Sequence, residues 1–121
     1  EKNNILKGIF SKNIIKDWGI LNYYQGDVYK GQFLNEKANG YGEYYHQNGG
    51  LYIGYWEQNL QEDIGIEIWN DNSRYLGQYS NGKKEGIGTY LLSNGSEYKG
   101  EWRNNYIEGF GIFKYNDGKI Y

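Results

Sequence analysis

The sequence predicts an all-β fold: an elongated, twisted single-layer antiparallel array of tandem 23-residue β-hairpins, a repeat solenoid of about ten strands. Three observations lead there. The chain repeats itself every 23 residues, glycine recurs at two fixed places in each block, and side-chain character alternates with period two between turn signals.

One array spans 1–121, with blocks at 6–28, 29–51, 52–74, 75–97 and 98–120. The blocks open at Leu6, Tyr29, Tyr52, Tyr75 and Tyr98, and Tyr121 opens a sixth, so the chain reads as a piece of something longer. Two places on stand Gly8, Gly31, Gly54, Gly77 and Gly100. Two further on stand Phe10, Phe33, Trp56, Tyr79 and Trp102, always aromatic. A second glycine column holds Gly19, Gly42, Gly65, Gly88 and Gly111.

Each block contains two reversals, hence two strands. The sharper reversal is Gln25-Gly26, Asn48-Gly49, Asp71-Asn72, Asn94-Gly95 and Asp117-Gly118. Such pairs supply positive φ at both centres of a type I′ turn. The wider loop holds Asn13, Glu36, Asn59, Gly82 and Asn105, where Gly and Asn tolerate the left-handed conformation and Glu36 is the exception. The strands then fall at about 5–10, 18–24, 27–33, 41–47, 50–56, 64–70, 73–79, 87–93, 96–102 and 110–116. Within them Tyr52, Gly54 and Trp56 share one face, with Ile53 and Tyr55 on the other; Gly86, Gly88 and Tyr90 share a face opposite Ile87 and Thr89.

Glycine and ring are expected to be partners. A ring laid over bare glycine on the neighbouring strand covers backbone that would otherwise be wet, and its burial offsets the entropy of ordering glycine. Gly31, Gly42, Gly54, Gly65, Gly77, Gly88, Gly100 and Gly111 are the structural glycines of this scheme. The rings are expected to line a groove on one face.

Composition narrows the chemistry. Glycine is 19 of 121 residues against a usual share of ~7%, and aromatics are 19%, a pairing unlike that of disordered chains. Cysteine is absent, which removes disulfides, thiolate metal sites and thiol nucleophiles. The single histidine, His46, shares a column with Tyr23, Trp69, Leu92 and Tyr115 and reads as packing or surface. No catalytic or metal site and no cofactor is expected. A net charge of -2 argues against nucleic acid even where bases could stack on rings. No apolar run approaches the ~20 residues of a membrane helix, and no charged-then-apolar leader is seen, so the expected setting is cytoplasmic rather than secreted. Lys83-Lys84 reads as a solvated tip, short of a polybasic lipid site.

These residues resemble MORN (membrane occupation and recognition nexus) repeats. The pattern reads Tyr75-Leu76-Gly77-Gln78-Tyr79, Gly86-Ile87-Gly88-Thr89-Tyr90 and Asn94-Gly95, and again Tyr98-Lys99-Gly100-Glu101-Trp102, Gly109-Phe110-Gly111-Ile112-Phe113 and Asp117-Gly118. The resemblance covers residues 6–121. It implies a non-catalytic scaffold or adaptor in cortical cytoskeleton or at membrane junctions, or the targeting region of a larger enzyme such as a lipid kinase or methyltransferase. Direct phosphoinositide binding is a third reading.

Two blocks depart from the pattern. The first has Leu6, Asp17 and Leu21 where Tyr, Gly and an aromatic are usual, and reads as a degenerate cap. The third has Asp63, Glu67 and Asn72 for Gly, an aromatic and Gly; residues 52–74 hold Glu57, Glu62, Asp63, Glu67 and Asp71 against Arg74, a net of -4. Glu67 falls among the groove rings, where it is either a docking feature or a local distortion with its carboxylate swung to solvent.

The expected partner surface is the groove: Tyr29, Phe33, Tyr44, Tyr52, Trp56, Tyr75, Tyr79, Tyr90, Tyr98, Trp102 and Phe113. Tyrosine and tryptophan suit a protein or peptide partner, a helix included. An open array also leaves unpaired edges, so a homodimer through the repeat ends is expected, with membrane contact indirect.

Overall fold

The computed structural model describes residues 5–8 and 17–121. Ten strands, β1 (Ile5–Gly8), β2 (Asp17–Asn22), β3 (Val28–Leu34), β4 (Lys37–Tyr45), β5 (Leu51–Glu57), β6 (Leu60–Ile68), β7 (Arg74–Ser80), β8 (Lys83–Leu91), β9 (Glu97–Arg103) and β10 (Tyr106–Lys114), form one open sheet in sequence order. Every pairing is antiparallel. No helix occurs among the described residues. Phe10 and Asn13 lie outside them.

The register explains the glycine spacing. Gly19 pairs with Gly31, Gly31 with Gly42, Gly42 with Gly54, and so on to Gly111. One row of glycine thus crosses the sheet at right angles to the strands. Tyr29, Tyr52, Tyr75 and Tyr98 lie over it: a Cβ on Gly65 or Gly88 would come within 2.5 Å of Cε1 of the Tyr52 or Tyr75 ring. Each ring is anchored at its far end, its hydroxyl donating to the carbonyl three residues on: Gln32 at 2.9 Å, Tyr55 at 3.0 Å, Gln78 at 2.9 Å and Glu101 at 3.1 Å. Side chains absent from the even strands let rings of alternate strands meet edge to face, Tyr29 with Trp56 at 5.3 Å, Tyr52 with Tyr79 at 5.2 Å, Tyr75 with Trp102 at 5.1 Å. The core of this protein is that line of rings, lying on a single sheet.

The two reversals exchange the roles expected of them. The loop read as wide is a two-residue turn with both residues left-handed: Asn35-Glu36 at φ 52° and 65°, Gln58-Asn59 at 48° and 70°, Asn81-Gly82, and Asn104-Asn105. That is the type I′ geometry, Glu36 included. The Asn-Gly sites are instead three-residue loops with one left-handed residue. His46 accepts from Gly49 N–H at 3.0 Å and donates to the Gly50 carbonyl at 2.8 Å, a type I turn closed by a glycine bulge. Asparagine and aspartate serve there as acceptors two residues on, Asn48 from Gly50, Asp71 from Ser73, Asn94 from Ser96.

The even strands consequently begin four residues earlier than expected, at Lys37, Leu60, Lys83 and Tyr106. A bulge within each hid them from period-two counting, with its extra residue left-handed at Gly40, Asp63, Gly86 and Gly109.

Candidate functional site

Of the eleven rings expected to face a partner, eight form the floor. Tyr29, Phe33, Tyr52, Trp56, Tyr75, Tyr79, Tyr98 and Trp102 are each less than a tenth exposed, and Tyr52 and Tyr75 not at all. Their burial removes them from a partner's reach in this fold. The cause is the glycine row beneath them and the rings of alternate strands on either side. Indole N–H groups are satisfied as well, Trp56 Nε1 donating to the Gly42 carbonyl at 3.3 Å and Trp102 Nε1 to Gly88 at 3.2 Å. Burial pushes the Tyr75 hydroxyl up to about 12, and those of Tyr29, Tyr52 and Tyr79 further.

The other three, Tyr44, Tyr90 and Phe113, are half-buried and pack against that floor. They stand on the even strands beside Tyr29, Tyr75 and Tyr98 in register. With them runs the column of Tyr23, His46, Trp69, Leu92 and Tyr115, which sequence reasoning noted without assigning it to the site. Together these side chains make a half-exposed strip along the ring face. Trp69 stacks on Tyr90 at 5.6 Å and Tyr90 on Trp102 at 5.9 Å, with interplanar angles of 19° and 17°. Phe113 meets Tyr115 at 4.6 Å. At the last hairpin a hollow opens between Tyr90, Tyr98, Trp102, Tyr106, Ile107 and Phe113.

Polar groups sit at two places on the strip. Near its start, the Tyr44 hydroxyl donates to Asp27 Oδ2 at 2.7 Å, Gln47 N–H donates to Oδ1, and His46 Nδ1 lies 4.0 Å away. The Tyr44 hydrogen bond and the Gln47 amide hold the Asp27 carboxyl below the usual carboxylate range. His46 packs on Tyr44 at 4.8 Å.

The second place is the divergent block. Glu67 is neither swung to solvent nor distorting the ladder: it pairs with Tyr52 and Tyr75 in register. Its Oε1 accepts from the Tyr79 hydroxyl at 2.9 Å and lies 4.0 Å from Lys84 Nζ. Lys84, read from sequence as a solvated tip, lies over the rings of Trp69 at 5.0 Å and Tyr75 at 5.3 Å. Burial lowers its ammonium from the ordinary lysine value, partly offset by Glu67. A charged pair therefore interrupts the apolar strip at its middle.

Fold and ring face together define an open hairpin-repeat protein with an aromatic spine and an amphipathic strip beside it. The MORN repeat family pattern matches residues 29–51, 52–74, 75–97 and 98–120, and the chain belongs to that family. A search of curated proteins gives no match.

Proposed function

We propose that the protein is a non-catalytic MORN-repeat scaffold or adaptor that holds a protein or peptide partner along the half-exposed strip, at a membrane-associated or cortical site. One observation carries the reading. Tyr44, Trp69, Tyr90 and Phe113 recur along the array with rings half-buried against the floor. Rings fixed in this way lose little side-chain entropy on binding and offer both an apolar body and a polar edge. The two charged positions, Asp27 and Glu67–Lys84, would set the register of a partner laid along them. The membrane-associated setting rests on the family alone, as does service as the targeting region of a larger enzyme.

The test is partner capture by the protein and by its Leu92→Lys/Tyr115→Lys variant, with folding checked by circular dichroism. Both positions lie on the strip and outside the floor, so the fold is expected to persist and capture to fall. Undiminished capture by the folded variant would remove the strip from the function.

A further inference from the structure

The half-exposed strip has a fixed spacing, and spacing limits what can lie on it. Tyr44, Glu67, Tyr90 and Phe113 form one column, and Tyr23, His46, Trp69, Leu92 and Tyr115 the next. Successive members stand two strands apart, roughly 9.6 Å. A partner that repeats its contacts must return the same side to the sheet at that interval. An α-helix does so after seven residues, ~10.5 Å, and drifts roughly 3 Å between Tyr44 and Phe113. A β-strand does so every two residues, ~6.7 Å, and falls out of step at once. A polyproline II helix does so every three residues, ~9.3 Å, and drifts only roughly 1 Å over the same distance.

Hydrogen-bond donors select the same ligand. Trp69 Nε1 and the Tyr90 hydroxyl have no hydrogen-bond partner among the described residues, and neither is shut away from solvent. Their neighbours are taken: the indoles of Trp56 and Trp102 and the hydroxyls of Tyr44 and Tyr79 all donate within the chain. An α-helix has spent its carbonyls on itself. An added strand needs an open edge, whereas β3 to β9 beneath the strip are each paired on both sides. A polyproline II helix keeps its carbonyls unbonded and outward, ready for isolated donors. The hollow gives it a seat. One block earlier the same place is filled by Lys84, whose ammonium lies over Trp69 and Tyr75. In the last hairpin that column holds the shorter Ile107, Tyr90 replaces Glu67, and the space between Tyr90, Tyr98, Trp102 and Phe113 stays open and apolar. Aromatic-lined hollows of this kind take proline rings.

Charge sets the sign of the ligand. Along the turn side of the strip stand Asp27, Asp71 and Asp117 against Lys119, while Glu67 is matched by Lys84. Asp71 and Asp117 lie two blocks apart, roughly 19 Å, which is the length of six polyproline II residues. We propose that the strip binds a basic, proline-rich segment of another protein in the polyproline II conformation, one turn per hairpin, with a proline in the hollow between Tyr90 and Phe113 and cations six residues apart facing Asp71 and Asp117. The inference rests on the strip being the partner surface, and it names the class of partner.

Titration of the whole chain with a polyproline peptide of about thirteen residues, arginine at every sixth position, tests it by tryptophan fluorescence. Circular dichroism confirms each variant's fold. Saturable binding is expected. Ile107→Lys, at a position 51% exposed, puts into the hollow the side chain that fills it one block earlier, and should weaken binding about tenfold or more. Asp71→Asn/Asp117→Asn should weaken it too, and glutamate for arginine in the peptide should abolish it. Trp69→Phe/Tyr90→Phe keeps the rings, removes the donors and should also lower affinity. A chain that binds no peptide at about 1 mM overturns the proposal, while the strip itself is judged separately by capture with Leu92→Lys/Tyr115→Lys. Binding left unchanged by Ile107→Lys and by Asp71→Asn/Asp117→Asn overturns it as well. So does tighter binding of an alanine-rich helical peptide with the same arginines, which keeps the strip and replaces the ligand.

Discussion

Residues 52–74 and the blocks on either side build the same pair of strands from different side chains. Where a block carries an aromatic on its second strand, a tryptophan of the following block sits beside it: Trp56 lies 5.9 Å from Tyr44, and Trp102 lies 5.9 Å from Tyr90. Where the aromatic becomes Glu67, the tryptophan becomes Tyr79, whose hydroxyl supplies the hydrogen bond the carboxylate needs. Lys84 stands in a column otherwise held by Ile15, Ala38, Gln61 and Ile107, and supplies the counter-charge. The bulge shows a second such exchange. At Gly40 and Gly86 the side chain of Gln32 or Gln78 folds over the glycine and its Oε1 accepts from the next amide, at 2.7 Å in both. A Cβ on Gly40 would come within 2.5 Å of that oxygen. In the divergent block Tyr55 stands in the glutamine's column, and Asp63 takes the left-handed conformation at φ 62°. Departures from the repeat come as matched sets, so the charge of this block is an alternative packing rather than decay.

The comparison can be broken most forcefully where the two kinds of block are alike. Gly88→Ala forces a Cβ into the anchored Tyr75 ring, and a loss of about 3 kcal/mol is expected in urea unfolding. Gly65→Ala in the divergent block should cost the same, because Tyr52 covers it in the same way. A much milder effect at Gly65 would mean that the divergent block is the looser one. Next in size, Glu67→Tyr alone leaves the Tyr79 hydroxyl and Lys84 without their acceptor. It should cost about 2 kcal/mol although it restores the family residue. Combining it with Tyr79→Trp and Lys84→Gln should recover most of that loss, and additive costs would sink the matched-set reading.

Asp63→Gly relieves a left-handed non-glycine residue and should stabilise by about 1 kcal/mol. Gly86→Asp should instead destabilise, since Gln78 covers that site. Equal and opposite changes of the same size would show that Tyr55 is irrelevant. The smallest effect is expected at the regular end of the strip. Asp27 is held below the carboxylate range by the Tyr44 hydroxyl first and the Gln47 amide second, so its contribution is present above the unfolded value near 4 and is lost as pH falls through its lower folded value. Thermal melts below pH 4 should therefore show less acid destabilisation in Asp27→Asn than in the parent.

Much of this was legible in the residues. The 23-residue columns give ten antiparallel strands and pair ring with glycine, because both follow from spacing along one strand and its immediate neighbour. The two turns were misassigned because Asn-Gly serves a type I turn with a glycine bulge as well as a type I′ turn. The backbone hydrogen bonds at His46, Trp69 and Leu92 separate them. Bulges at Gly40, Asp63, Gly86 and Gly109 insert a residue that breaks the alternation, so the first part of each even strand looked like loop. Lys84 was misread because its partner, Glu67, is 17 residues away in sequence. The signal was present, since Glu67, Tyr79 and Lys84 all depart from their columns together.

The sequence by itself determined the period, the sheet and the identity of the spine, since a repeat fixes local geometry and a 23-residue hairpin can bury its rings only against its neighbours. Tertiary structure alone decided which rings are floor and which are surface. That choice depends on rings from alternate strands meeting across the glycine row, and exposure is a property of the assembled sheet. The same holds for the back face, turned away from the rings, where residues that alternate along each strand are brought by register into rows such as Ile53, Ile66 and Leu76.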